Sequence, residues 1–299
     1  SSHGACAGSS GVPSDDASSA SEPALRWSMG GARSRPVLLR ARAAASPQHS
    51  NGDVPRAHVD GGQLVTGGTG AIGTQVARWM CESGSRQVTL LARSAHTSSV
   101  SAEMRVRRVA CVRVVQCDSS YASDASCSSV SGCASTASAA WWHSQSVRCV
   151  HHASGMLRDG LVDAQTASHV RGSFAPKMAW LDAVDRSHAH AACPMRGTVC
   201  YGSIASALGN AGQTNYAAAN ASMEAWAAGS RARGSAAVCV QWGPWAEAGM
   251  ATSDAVVGRL RRMGLLALSN AEGISLLDAV LRGLVRGAAA DARVSATVL

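Results

Sequence analysis

Residues 66–73 (TGGTGAIG) decide the fold of this 299-residue chain. Their glycines are spaced as GxGxxG, and the apolar pair Leu64–Val65 leads into them. Residues 76–80 follow with apolar side chains at helical spacing, and a second apolar run occupies residues 88–92. Strand, glycine-rich turn, helix and strand within about 30 residues predict one βαβ unit.

The glycines at 68, 70 and 73 predict a dinucleotide site, because they follow a strand and open a helix. A Cβ at these positions would block the tight turn, keep the pyrophosphate from the backbone N–H groups or push the helix off the strand. The helix N-terminus adds partial positive charge. The alternative is an ordinary glycine-rich turn. The residues expected around the cofactor are Gly67, Gly68, Thr69, Gly70, Ala71, Ile72 and Gly73.

The residues after the next strand favour NADPH over NADH. NAD-binding proteins place an acidic side chain about 20 residues beyond the glycines, where it accepts from the ribose 2′-OH. Here that position holds Arg93, followed by Ser94. A guanidinium can pair with a 2′-phosphate through two hydrogen bonds. Asp118, after the third strand, is placed to reach the adenine. The alternatives are a surface arginine at 93 and a turn residue at 118.

Short apolar runs recur along the chain and alternate with segments that have helical spacing. The further runs are residues 112–115, 147–150, 198–201 and 236–242, and the helical segments are 162–183, 214–232 and an amphipathic 260–281. Strands that alternate with helices predict an α/β fold. We expect a Rossmann-type, doubly wound parallel sheet with helices on both faces.

The chain divides into three parts by composition. Residues 1–24 are rich in Ser, Ala and Gly and are expected to be a disordered tail. Residues 25–60 hold one apolar run, 37–39, and read as a linker that could contribute a strand. Residues 61–299 form the nucleotide-binding domain, within which 119–146 has poor helical periodicity and is expected to hold a short helix and a loose loop.

Composition excludes several classes of protein. The net charge is +8, but the arginines are scattered and no nucleic-acid-binding motif occurs. The 10 cysteines include no CxxC pair, which argues against a zinc site or a disulfide framework. No apolar stretch approaches the about 20 residues that a membrane span needs. No secretory signal opens the chain. We therefore expect an intracellular protein, cytoplasmic or plastid, without metal or nucleic acid.

Four polar residues form a candidate catalytic group. Tyr216 and Asn220 share a helix face at i, i+4, and Ser203 ends an apolar run 13 residues before Tyr216. Lys177 is the one lysine among 27 basic residues, which suggests a chemical reason for it. Reduction of a ketone needs a proton donor and a second donor that holds the carbonyl. A nearby ammonium lowers a tyrosine pKa. Taken singly, these residues could equally be a surface Lys, a strand-end Ser and a core Tyr.

Together these residues resemble the short-chain dehydrogenase/reductase superfamily, and more narrowly the ketoreductase domains of polyketide synthases and multidomain fatty acid synthases. The matching segments are 66–73 (TGGTGAIG), 150–160 (VHHASGMLRDG), 173–178 (SFAPKM), 202–221 (GSIASALGNAGQTNYAAANA) and 241–250 (QWGPWAEAGM). Most of the superfamily carries Lys four residues after Tyr. Asn220 and Lys177 show the swapped arrangement of the polyketide ketoreductases.

The resemblance implies a role for each residue. Ser203 would hold the substrate carbonyl, Tyr216 would donate the proton, and Lys177 would tune Tyr216 and bind the nicotinamide ribose. Asn220 would help to position Lys177, while Ala153 and Gly155 would lie beside the cofactor. The implied substrate is a β-ketoacyl chain on the phosphopantetheine arm of an acyl carrier protein, with other synthase domains as partners.

The resemblance also suggests the stereochemical class. Leu157-Arg158-Asp159 matches the Leu-x-Asp motif of the B-type ketoreductases, and Leu208 replaces the Trp of the other class. Arg158 departs from the commonest modular pattern. Trp242 and Met250 are expected on the substrate side, although Trp242 could instead be a core residue. His151 and His152 are expected to be strand-end packing residues.

Two other functions stay open. A catalytically silent domain could bind NADPH or act as a scaffold in a synthase, but such domains usually lose Tyr, Ser, Lys or the glycine-rich loop. A free-standing short-chain dehydrogenase could act on another ketone, but the swapped Lys and residues 209–215 (GNAGQTN) argue against it. The family usually has a large N-terminal structural subdomain, of which residues 25–60 could be a remnant.

Overall fold

The computed structural model describes residues 37–39, 61–93, 111–117, 147–190, 195–247, 258, 267–285 and 295–298. All of them belong to one of the two units into which the chain divides, residues 34–299, and the other unit is residues 1–33. The expectations for 1–24 and 119–146, for most of 25–60, and for Ser94, Asp118 and Met250 lie outside the described residues. Whether 25–60 is a subdomain remnant stays a prediction.

Within the described residues the strands are β1 Val37–Leu39, β2 Gly62–Thr66, β3 Gln87–Ala92, β4 Cys111–Gln116, β5 Val147–His152, β6 Gly197–Ser203, β7 Ala237–Trp242 and β8 Ser295–Val298. The helices in the same part of the chain are α1 Ala71–Glu82, α2 Ala167–His190, α3 Ala205–Leu208, α4 Thr214–Ala232 and α5 Asn270–Val285. A 3-10 turn occupies Val162–Ala164.

The strands form one parallel sheet in the order β1-β8-β7-β6-β5-β2-β3-β4. From β2 the chain moves outward through β3 to β4, then returns to β5 on the other side of β2. The strand order therefore reverses between β2 and β5, which is where ligands bind in doubly wound sheets. The β1 strand, which contains the apolar run at 37–39, pairs with β8 at one edge.

Alternate residues of the strands pack against helices on opposite faces, because successive strand side chains point in opposite directions. Val65 packs on the face that α1 and α5 cover, where Met80 and Leu277 are buried. Its neighbour Leu64 packs on the other face, against Trp180 of α2. The predicted fold class is therefore confirmed: a doubly wound sheet with helices on both faces.

Small and soft side chains fill much of this core. Five of its cysteines, Cys81, Cys117, Cys149, Cys200 and Cys239, are buried thiols. Burial raises the pKa of the Cys149 thiol to about 12, and that of Cys200 to about 12. These thiols therefore stay neutral and act as small apolar groups.

Two helices differ from the sequence prediction at their ends. The predicted segment 162–183 begins as a helix only at Ala167, because the Thr166 hydroxyl accepts from the His169 N–H and caps it there. Of the predicted segment 260–281, residues 267–269 are not helical and α5 begins at Asn270, where Ser269 and Glu272 form a reciprocal capping box. Residues 260–266 lie outside the described residues. Among the described residues no helix could span a membrane.

Candidate active site

The turn between β2 and α1 forms a cradle of bare backbone. Gly67 has φ +65°, and a Cβ on it would come within 2.9 Å of the Ala153 carbonyl oxygen. A Cβ on Gly73 would come within 2.8 Å of the Gly68 Cα. Larger residues would therefore push the turn away from β5 or open it. The predicted residue Ala153 lies against the cradle, and its N–H donates to the Thr66 carbonyl at 3.2 Å.

The first turn of α1 has peptide groups directed toward this cradle without competing side chains. Gly70 is the N-cap, no side chain caps the helix, and no acidic residue lies in the first turn. Gly70 and Ala71 are exposed, while Thr69 and Ile72 are half-buried. The partial positive charge of the helix end therefore faces an accessible site that suits a phosphate.

Arg93 directly follows β3, on the same edge of the sheet as the cradle, and is exposed. Its carbonyl oxygen accepts a hydrogen bond of 3.2 Å from the Gln116 amide. Position 93 therefore holds no acidic side chain of the kind that binds a ribose 2′-OH in NAD-binding proteins. Gly155, predicted beside the cofactor, is half-buried shortly after β5.

The lone lysine is buried against the candidate proton donor. Lys177 is 2% exposed, and its Nζ lies 5.3 Å from the centroid of the Tyr216 ring. The same Nζ donates to the Tyr201 carbonyl oxygen at 3.4 Å. Among the described residues no carboxylate pairs with it. The structure therefore brings Lys177 of α2 and Tyr216 of α4 together, and the positive charge lies over the tyrosine ring.

Asn220 contacts Tyr216, one helical turn earlier. Its Nδ2 donates to the Tyr216 carbonyl at 2.8 Å, and no hydrogen bond joins it to Lys177 within the described part of the chain. Its Oδ1 is buried without a hydrogen-bond partner. A buried acceptor of this kind is costly unless a ligand or water satisfies it. Asn220 therefore does not bond Lys177 directly in this structure. The expected positioning of Lys177 by Asn220 would need a water molecule or ligand between them.

Ser203 ends β6, and its side chain is half-buried. Its Oγ accepts from the Ala205 N–H at 3.2 Å, which leaves the hydroxyl proton for another partner. Its carbonyl oxygen accepts from the Ser206 hydroxyl at 2.7 Å. Ser206 is held by Gln241 of β7 at 3.1 Å and also bonds Glu224 of α4. The neighbouring strand and helix therefore fix the backbone of Ser203.

His152 forms hydrogen bonds both to β2, which leads into the cradle, and to α2, which carries Lys177. Its Nε2 donates to the Lys177 carbonyl at 2.8 Å, so Nδ1 is the acceptor from the Thr66 hydroxyl, also at 2.8 Å. The pKa of His152 is lowered to about 4, mainly by burial; the bond to the Lys177 carbonyl opposes this lowering, and the Lys177 charge adds a smaller lowering. The ring is therefore neutral. Sequence reasoning assigned His152 to packing and did not detect this link, because its partner lies 25 residues away.

His151 points to the opposite face of the sheet. Its Nδ1 lies 3.1 Å from the Tyr201 hydroxyl. Among the described residues no group of three His, Cys, Asp or Glu side chains could hold a metal ion.

Trp242 packs in the core. It is 4% exposed, stacks on Tyr201 with a centroid distance of 6.0 Å, and meets Trp245 edge-on at 5.3 Å. The expectation that Trp242 borders the substrate entrance therefore gives way to the core alternative, since aromatic rings and helix α5 enclose it.

Two of the predicted stereocontrol residues, Asp159 and Leu208, lie on loops or helix ends near the start of α4 in sequence or through hydrogen bonds. Asp159 lies on the loop after β5, where its Oδ2 accepts from the Gln213 amide at 3.0 Å. Leu208, at the end of α3, is 57% exposed. Leu161 and Val162 are also exposed, at 65% and 71%. We call these three exposed apolar residues the apolar rim. Asp159 shares its loop with Leu161 and Val162, and its bond to Gln213 attaches that loop to the segment that leads into Tyr216.

Comparison with known proteins identifies the family. The family model described as "KR domain" matches residues 61–247. Polyketide synthase GfsB of Streptomyces halstedii is 36% identical over 225 residues, which cover 73% of this chain and 4% of that protein. The spectinabilin polyketide synthase system protein NorB of Streptomyces orinoci is 35% identical over 229 residues, covering 73% and 10%. The chain thus spans a small part of the curated relatives that it matches.

Solved structures agree. An A-type ketoreductase from a modular polyketide synthase has a TM-score of 0.64 and 31% identity, over 75% of this chain and 46% of that one. A short-chain dehydrogenase from Burkholderia cenocepacia in complex with NADP has a TM-score of 0.64 over 80% and 96% of the two chains; at 17% identity it shows the shared fold. The chain therefore belongs to the KR family, the ketoreductase domains of polyketide synthases within the short-chain dehydrogenase/reductase superfamily of oxidoreductases.

Proposed function

We propose that this domain reduces a β-ketoacyl thioester, carried by an acyl carrier protein, to the β-hydroxyacyl thioester with NADPH. The observation that carries the proposal is the burial of the Lys177 ammonium 5.3 Å from the Tyr216 ring centroid. A buried ammonium stabilises the phenolate form of a neighbouring tyrosine, which makes the phenol a better acid at neutral pH.

The glycine cradle supports the choice of a dinucleotide. Its bare backbone and the uncapped N-terminus of α1 fit a pyrophosphate, with Gly67 to Gly73 as the binding residues. Arg93 would hold the 2′-phosphate, and Ala153 and Gly155 would border the nicotinamide half. When bound, NADPH supplies the hydride.

The chain's own residues supply the proton and the orientation. Ser203 keeps its proton and donates a hydrogen bond from its hydroxyl to the substrate carbonyl oxygen, which holds that oxygen in place. Tyr216 gives its phenolic proton to the same oxygen as negative charge develops there. Lys177 stabilises the phenolate left behind. The orphaned Oδ1 of Asn220 suits a water molecule that returns a proton toward this group.

The stereochemical class that we propose is the B-type. It rests on Asp159 and on Leu208 in place of a Trp. The partners that we propose are the carrier protein and the other domains of a synthase, since the relatives are polyketide synthases many times longer than this chain.

The test of the proposed function is turnover of a β-ketoacyl N-acetylcysteamine thioester, followed by NADPH oxidation. Tyr216→Phe removes the proton donor and should lower kcat by about 10²-fold or more. Tyr201→Phe is the matched control, because it removes a phenol that bonds His151 in the core, and it should change kcat by less than a few fold. Parent protein that binds NADPH without turnover would instead be a silent domain.

A further inference from the structure

The residue before Tyr216 connects two loops that the catalytic group needs. Asn215 is the second residue of α4 and is 3% exposed. Facing it is the loop 158–165, which carries Asp159 and part of the apolar rim. None of the eight residues of this loop is buried, so apolar packing does little to hold the loop in place.

The Asn215 amide uses its full hydrogen-bonding capacity. Its Oδ1 accepts from the Tyr216 N–H at 2.8 Å and from the Gln165 amide at 3.2 Å. Its Nδ2 donates to the Arg158 carbonyl at 2.8 Å and to the His169 carbonyl at 3.2 Å. The amide thus bonds the first turn of α4, both ends of the loop and the first turn of α2.

A single orientation of this amide satisfies the four partners. Two of them, the carbonyls of Arg158 and His169, can only accept, and the Tyr216 N–H can only donate. The Tyr216 N–H is also one of the helix-start donors that have no carbonyl partner within α4. No other common side chain of this size offers two donors and two acceptor sites at one position.

Further hydrogen bonds hold loop 158–165 against the segment before Tyr216. The Gly160 N–H donates to the Gly212 carbonyl at 2.8 Å, and Gly212 has φ +78°, a conformation that favours glycine. Gln213 holds Asp159, and Gln165 donates to the Gly160 carbonyl at 2.9 Å. The loop is therefore attached by hydrogen bonds to the segment that leads into Tyr216, with a buried Asn215 at their centre.

We propose that Asn215 is a positioning residue that holds loop 158–165 in register with the Tyr216 hydroxyl, and so determines which face of the ketone is reduced. This rests on the proposed ketoreductase function. The loop supplies Asp159 and the exposed Leu161 on the side from which an acyl chain would enter. A shift of the loop relative to Tyr216 changes how the chain lies without moving the glycine cradle, which is built from β2, α1 and β5.

The first experiment needs no turnover. Hydrogen–deuterium exchange of residues 156–165 compares the parent with Asn215→Ala and with Ser230→Ala. Ser230 is the matched control, since it is fully buried on α4 at its other end and bonds Asp185. We expect Asn215→Ala to speed exchange in this peptide at least tenfold, and Ser230→Ala to leave it within twofold. Equal exchange in the two variants would overturn the proposal.

The second experiment reads the stereochemistry. Reduction of a 2-methyl-3-oxoacyl N-acetylcysteamine thioester yields diastereomers that chiral chromatography separates. Asn215→Ala should lower kcat about tenfold and the diastereomer ratio at least fivefold, while the NADPH Kd stays within twofold. Asn215→Asp keeps the acceptor for the Tyr216 N–H but loses both donors to the carbonyls. It should therefore recover most of kcat and still lower the ratio.

Two results separate the possible failures. A parent protein without turnover would remove the proposed function, while the exchange experiment would still decide whether Asn215 holds the loop. Variants at 215 that lose melting temperature as Ser230→Ala does, but keep the parent's diastereomer ratio, would make Asn215 a structural residue and overturn the positioning role.

Discussion

Residue identity matters most at position 177, where the chain keeps an ammonium although its 26 other basic residues are guanidiniums. The Nζ fits between the Tyr201 carbonyl and the Tyr216 ring in a site that is 2% exposed. An arginine guanidinium is planar and carries five N–H donors, and these two groups could not satisfy all five. The chemistry of the site therefore requires the smaller cation.

Arg93 is the residue on which the choice between NADPH and NADH depends. Arg93→Ala should weaken NADPH binding roughly tenfold, the scale of a charge-assisted pair at an exposed position, and should change NADH binding little. Fluorescence titration with the two cofactors measures both constants. Arg86→Ala is the control, because Arg86 is exposed at the opposite end of β3. Equal losses for NADPH and NADH would refute the 2′-phosphate role.

Elements set the distance between the lysine and the tyrosine, because each residue lies on a different helix. Asp185 of α2 joins the two helices: its Oδ2 accepts from Trp226 at 3.0 Å and from Arg233 at 2.8 Å, and both donors follow the catalytic residues of α4. About one turn earlier on α2, Trp180 and Leu181 are fully buried. The active-site geometry thus depends on the packing of α2 against α4.

Asp185→Ala should lower the free energy of unfolding by about 1–2 kcal/mol, since it leaves the half-buried Trp226 N–H without its acceptor. Arg233→Ala should cost about 0.5 kcal/mol or less, because its ion pair with Asp185 is exposed to solvent. Urea unfolding of both variants gives the two values. A cost for Arg233→Ala as large as that for Asp185→Ala would show that the ion pair, and not the indole bond, joins the helices.

His152 makes the stability of the whole fold depend on pH, because it bonds both β2 and α2 from the end of β5. Its pKa in the folded chain is about 4, below the ordinary 6.5. Between these values the unfolded chain binds a proton that the folded chain does not. Stability from this residue is therefore complete above pH 6.5 and falls as the pH drops toward 4.

Urea unfolding at pH 7 and pH 5 measures this effect. The free energy of unfolding of the parent should fall by about 2 kcal/mol between pH 7 and pH 5 through His152, because each unit of pKa shift corresponds to about 1.4 kcal/mol. His152→Gln starts from a lower stability but should lose about 2 kcal/mol less between the two pH values. A variant with the parent's pH dependence would contradict the assignment.

The fold was predictable from the sequence because it depends on local patterns, and the same patterns nominated the four candidate residues, whose catalytic roles stay a prediction. The glycine spacing at 66–73, the apolar runs and the face shared by Tyr216 and Asn220 each lie within a few residues. Apolar spacing did not predict that helices begin at Ala167 and Asn270, because these starts are set by caps at Thr166 and Ser269 that apolar spacing does not report.

The contacts of Asn215, His152 and Trp242 were decided by the tertiary structure. Asn215 bonds residues 46 and 57 positions away, and His152 reaches both Thr66 and the Lys177 carbonyl. No pattern in one sequence records which distant backbone groups a buried amide or imidazole will meet. The local order of residues therefore determined the fold and the family to which the chain belongs, while the packing of helices on the sheet determined how the parts of the candidate site are held together.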